Sequence, residues 1–102
     1  MSIHTVPLKL VTIVAEPVLE ERIVRALHQL GARGHTVTAS HGAGSRGMRA
    51  SDPPGEGVRI EVVVGAEAAE RILAHVAEHY FPNYAVIAFV ADVRVVRGEK
   101  YA

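Results

Sequence analysis

The sequence predicts a single α+β domain of element order β-α-β-β-α-β, and three observations carry that reading. Four stretches have the apolar density or alternation of strands, two have helical spacing, and glycine- and proline-rich punctuation separates them in that order. The chain's 102 residues, 49% hydrophobic and 22% charged, have the size and composition of one compact globular core.

Val6 to Ala15 is apolar at nearly every position except Lys9 and Thr12, the pattern of a strand buried on both faces. A helix is expected from Glu16-Pro17, because proline suits a first helical turn, and Leu19, Ile23, Ala26, Leu27 and Leu30 then share one face. Gly31 and Gly34 stop it. The β-branched run His35 to Ser40 reads as a second strand. From His41 to Gly57 the chain is rich in glycine, holds two prolines and has almost no large apolar residues, so a long mobile loop is expected there. Val58, Ile60, Val62 and Val64 alternate with Arg59 and Glu61 as a third strand. Ala69, Ile72, Leu73, Val76, Ala77 and Tyr80 form the packed face of a second helix, which Phe81-Pro82-Asn83 ends. Tyr84 to Val96 is a fourth strand, followed by a polar tail.

This order is that of the ferredoxin-like split βαβ unit, in which right-handed crossovers lay both helices on one face of an antiparallel sheet. The first and last strands nevertheless carry apolar side chains at both parities, Leu8 and Leu10 against Val11 and Ile13, and Ile87 and Phe89 against Val86 and Val90. Something has to cover the second face. No further helix is available, so a second copy of the chain is the expected cover, and a sheet-lined homotrimer the expected assembly.

Lys plus Arg and Asp plus Glu number 11 each, so no overall field draws the chain to nucleic acid or an anionic membrane. The absence of cysteine excludes disulfides and thiolate chemistry. Neither a signal core nor an apolar run near the ~20 residues of a membrane span is present, which points to a cytoplasmic protein.

Gly42-Ala43-Gly44-Ser45-Arg46-Gly47 spells a dinucleotide-binding fingerprint, but that motif requires a helix directly after it, and Ser51-Asp52-Pro53-Pro54-Gly55 forbids one. The same residues suit an anion in another way. Unshielded backbone N–H groups with Ser45, Arg46 and Arg49 form a donor set for phosphate or for a smaller anion such as bicarbonate. His75-Val76-Ala77-Glu78-His79 matches the H-x-x-E-H zinc-hydrolase pattern without a third ligand, and the expected packed face leaves both histidines toward solvent. Arg94, Arg97 and Lys100 place cations near the end of the last strand, and Glu16, Glu20 and Glu21 complement a helix N-terminus. No catalytic set stands out, and no metal site or bound cofactor is expected.

Taken together, Gly31-Ala32-Arg33-Gly34-His35-Thr36-Val37-Thr38 followed by Gly42-x-Gly44-Ser45-Arg46 resembles the PII-like signalling proteins of the SbtB type. Ile60-Glu61-Val62, Tyr80-Phe81 with Tyr84, and the ending Arg97-Gly98-Glu99-Lys100-Tyr101 extend the resemblance over nearly the whole chain, closest to the carboxysome-associated branch. The resemblance implies a trimer of ferredoxin-like subunits, a T-loop at about 41–57, and AMP, ADP, ATP or cyclic AMP held in clefts between subunits. Carried over, Gly34, His35, Thr36, Val37 and Thr38 line the nucleoside, and Gly42, Gly44, Ser45 and Arg46 the phosphates. Glu61 and Val63 flank the adenine, and Arg97 or Lys100 closes the cleft. Ser45, Arg46 and Arg49 are the implied bicarbonate donors, and a bicarbonate transporter or carboxysome-related protein is the implied partner. The chain has no cysteine for the redox ending of some SbtB-type proteins and no tyrosine in 41–57 for uridylylation. The competing readings are a slow nucleotide phosphohydrolase in the same cleft, and a metal-binding trimer of related fold using His75, Glu78 and His79.

Overall fold

The computed structural model describes residues 3–42 and 55–98. Four strands, β1 (Thr5–Ala15), β2 (Thr36–His41), β3 (Glu56–Val64) and β4 (Ile87–Val96), form one antiparallel sheet in the order β2-β3-β1-β4. Two helices, α1 (Glu20–Gln29) and α2 (Ala66–His79), complete the expected βαββαβ order. β1 is central because it is the longest apolar run, and it pairs β3 from Lys9↔Val64 to Ala15↔Val58 and β4 from Thr5↔Val96 to Val14↔Ile87.

Both helices pack on the face carrying Val11, Ile13, Ala15, Val58, Ile60, Val62 and Val64, where Leu19, Ile23, Leu27, Ala69, Ile72, Val76 and Tyr80 meet them in one buried cluster. The opposite face carries Leu8, Leu10, Thr12 and Val14 of β1 beside Ile87 and Phe89 of β4. No element of the described residues covers it, and Ile87 and Phe89 remain 59% and 45% exposed.

Four boundaries differ from expectation. Glu16-Pro17 opens a 3-10 turn, Pro17–Leu19, and the α-helix begins only at Glu20, because Leu19 N–H and Glu20 N–H bond three residues back, to Glu16 O and Pro17 O. Glu16 is correspondingly no exposed N-terminal charge: it is buried to 3%, while Glu20 and Glu21 occupy the first turn of α1. The expected 41–57 loop loses its ends to the ladder, since His41 pairs with Glu56 and Ser40 with Gly57, backbone pairing that needs no apolar side chain. β4 starts at Ile87; Tyr84 and Val86 precede it but still pack against the core. Gly31 ends α1 as expected, at φ +119°, with its absent Cβ facing Ala68.

Candidate functional site

β2 is an edge strand, and its parity sorts the residues expected to contact a nucleoside. The register joins Thr36, Glu61, Thr12 and Phe89 in one row across the sheet, and Thr38, Arg59, Val14 and Ile87 in the next, all on the face away from the helices. Thr36 and Thr38 are exposed there, Glu61 and Val63 are half-buried beside them, and Arg59 Nε donates to Glu61 Oε2 at 3.4 Å. Val37 belongs to the other face: it is half-buried and packs against the helix-covered core, so its side chain is set apart from those of Thr36 and Thr38. Arg59 stands in the second of these rows. The alternation of Val58, Arg59, Ile60 and Glu61 already puts it on the face of Glu61, and only the pairing of β2 with β3 sets it opposite Thr38.

The entry to β2 is held by a histidine pair. His28 Nδ1–H donates to Ala32 O at 2.9 Å, which leaves His28 Nε2 to accept from His35 Nδ1–H at 2.8 Å when both rings are neutral. Gly34 and Gly42 flank β2 at its two ends. Neither has a left-handed φ, and among the described residues a Cβ added at either meets nothing within 4 Å. Toward the described residues, glycine therefore leaves open space along the edge at these two positions.

Arg97, in contrast, follows β4 at the far edge of the sheet, eight residues beyond the row of Thr36 and Phe89, or about 25 Å along the strand at ~3.3 Å per residue. It adopts φ +64°, and Arg94 Nε donates to Thr5 Oγ1 at 3.1 Å across the ladder. A single subunit does not bring Arg97 to Thr36. Gly44, Ser45, Arg46, Arg49 and Lys100, named from the sequence as phosphate, bicarbonate or cleft-closing residues, lie outside the described residues.

On the outer face of the helices the expectation for the H-x-x-E-H pattern holds for His79, which is exposed, but not fully for His75, which is half-buried because Tyr80 and α1 crowd its ring. The two rings are tilted against each other with centroids 4.3 Å apart. Burial, and secondarily the charge of His79, depress the His75 pKa below the ordinary histidine value, with Glu78 opposing. Among the described residues, no three His, Asp or Glu side chains converge as metal ligands. None of the described helices is long and apolar enough to cross a membrane.

The fold and its polar edge define a small ferredoxin-like α+β subunit with an uncovered apolar sheet face. Residues 8–100 match the family described as nitrogen regulatory protein P-II, and the chain belongs to that family. It is similar to a PII-like signaling protein from Thermus thermophilus, at 56% identity over 96% of this chain and 98% of that one, with a TM-score of 0.84. It is also similar to CPII from Thiomonas intermedia in its complex with ADP and bicarbonate, at 27% identity over 99% of this chain and 100% of that one, with a TM-score of 0.82. The CPII complex with ADP, AMP and acetate matches at 26% identity over 97% and 98% of the two chains, with a TM-score of 0.82. The chain is thus a PII-like signalling protein by family.

Proposed function

We propose that this protein is an adenine-nucleotide sensor, a homotrimer that holds ADP or AMP, with ATP or cyclic AMP as further candidates, in clefts between subunits. Its 41–57 T-loop then reports occupancy to a target in inorganic-carbon metabolism. The observation that carries the reading is the match, over 99% of the chain, to a relative in complex with ADP and bicarbonate. Three features of the subunit support it. Apolar Ile87 and Phe89 lie open on the bare sheet face, where a second copy would remove them from water. Thr36, Thr38, Arg59 and Glu61 offer hydroxyls, a cation and a carboxylate at the edge beside Gly34, where none of the described residues crowds the backbone. Arg97 is too distant to serve its own subunit's edge and is free to serve a neighbour's.

In this reading nucleotide binding acts by differential affinity: the T-loop conformation that contacts the phosphates through Gly42, Gly44, Ser45 and Arg46 is favoured by as much as the nucleotide prefers it. Bicarbonate is a second effector at Ser45, Arg46 and Arg49, and Lys100 joins Arg97 at the cleft. The target is a bicarbonate transporter or a carboxysome-related protein, the setting is the cytoplasm, and the chemistry is binding without turnover.

Isothermal titration of AMP, cyclic AMP, ADP and ATP, with and without bicarbonate, tests the proposal in the wild type, Arg46→Ala and Gly34→Ala. Saturable micromolar binding is expected. Arg46→Ala weakens it by about 1.5–3 kcal/mol, the worth of a charge-assisted hydrogen bond, and Gly34→Ala weakens it without lowering the melting temperature. No saturable binding of any nucleotide would overturn the reading, and steady phosphate release from bound ATP would replace the sensor with a slow phosphohydrolase.

A further inference from the structure

A groove of about 290 Å³ lies on the outer layer of the molecule, lined by Arg22, Arg25 and Gln29 of α1 and by His75, His79 and Tyr80 at the end of α2. We propose that it is a second anion site, separate from the β2 edge, that takes a small phosphate-class dianion, free or carried on a small metabolite. The lining is one-sided in charge: two guanidiniums, two imidazoles, a carboxamide and a phenol, with no carboxylate among them. Among the described residues neither Arg22 nor Arg25 lies within ion-pair distance of an acidic group. Two arginines without an ion-pair partner among the described residues, beside two histidines, concentrate positive potential in a concave surface, a condition that favours anion binding.

The donors are also held in place. The Arg22 guanidinium lies 5.5 Å from the Tyr80 ring centroid and 5.8 Å from that of Tyr84, and the neighbouring Tyr80 side chain favours its charged form. Tyr80 is itself 3% exposed and anchored in the core, so one wall of the groove is rigid. The groove has room for a phosphate or a small phosphomonoester. A cation is disfavoured by Arg22 and Arg25, which separates this groove from a zinc site on the same histidine pair.

Proton uptake is coupled to binding. The charged and titratable groups around His75 are Arg22 and Arg25 from α1, Glu78 and His79 from α2, and Tyr80 beyond it. In the empty groove burial and His79 favour the neutral His75 ring, against Glu78; a bound dianion supplies a countercharge and raises its proton affinity. Affinity counted per dianion therefore rises as pH falls through the histidine range, while protonation of the phosphate group itself over that range lowers the dianion's concentration.

The test follows the His75 and His79 ring resonances of the full chain by NMR while inorganic phosphate, then glycerol phosphate, is added at several pH values. Saturable shifts of both rings are expected, tightening toward lower pH when affinity is counted per dianion. Arg25→Gln weakens binding about tenfold or more, as the loss of a charge-assisted hydrogen bond requires. His75→Gln flattens the pH dependence, and Arg46→Ala leaves the response intact, so failure of the nucleotide reading and failure of this one are distinguishable. Tighter binding of glycerol phosphate identifies a metabolite as the natural ligand; tighter binding of phosphate identifies the free ion. Linear, unsaturated shifts in a folded wild type, or ring signals that respond to Zn²⁺ and not to phosphate, would overturn the proposal.

Discussion

The two faces of the sheet differ in what finishes them. On one, Val11 and Ile13 are fully buried beneath α1 and α2; on the other, side chains of the same apolar character end at Ile87 and Phe89, open to solvent. Residues on the two faces of one sheet therefore contribute at different levels. The first set stabilises the subunit, and the second contributes only when another surface arrives, since burial is favourable in proportion to the apolar area removed from water. The lesson is that hydrophobicity at both parities of a strand specifies two interfaces, of which the chain itself provides one.

The same substitution on the two faces breaks this comparison most directly. Ile13→Asp places an unpaired carboxylate in the closed core and costs more than about 4–5 kcal/mol, so the chain is expected to lose its cooperative unfolding transition in far-UV circular dichroism. A folded Ile13→Asp subunit would mean that the helix-covered face is not the core. Phe89→Asp should leave the subunit's circular dichroism intact while lowering the mass measured by light scattering to that of one chain, at a loss of about 2–4 kcal/mol of association free energy. An unchanged assembly would show that the bare face is not where copies meet.

Thr12→Val sharpens the contrast with the smallest effect. The Thr12 hydroxyl is fully buried on the bare-face row, between Glu61 and Phe89, and makes no hydrogen bond among the described residues. Replacing it by an isosteric methyl is expected to stabilise the protein by about 1 kcal/mol in urea unfolding, because a buried hydroxyl without a partner carries a desolvation cost. A loss of stability instead would locate an acceptor for that hydroxyl on a neighbouring copy.

Much of this arrangement is legible in the sequence. Alternation in Val58 to Val64, spacing in Leu19 to Leu30 and the apolar run of β1 give the element order, and with it the antiparallel sheet and its helix-covered face. The boundaries moved where backbone hydrogen bonding rather than side-chain burial decides them, as in the 3-10 turn after Glu16 and the His41↔Glu56 pair. For the candidate edge, alternation already separates Val37 from Thr36 and Thr38 and joins Arg59 to Glu61, but that these two pairs stand side by side follows from register.

What the sequence determined by itself is local: periodicity records which side of a helix or strand seeks burial, and glycine and proline record where the chain turns, because both act over a few residues. Tertiary structure alone decided which distant groups meet. The strand order β2-β3-β1-β4 puts Thr36 and Arg97 at opposite edges, and the docking of α1 against α2 brings Arg22 and Arg25 to His75 and His79. Those juxtapositions arise from packing two layers around one core, a many-body choice that no short stretch of residues encodes on its own.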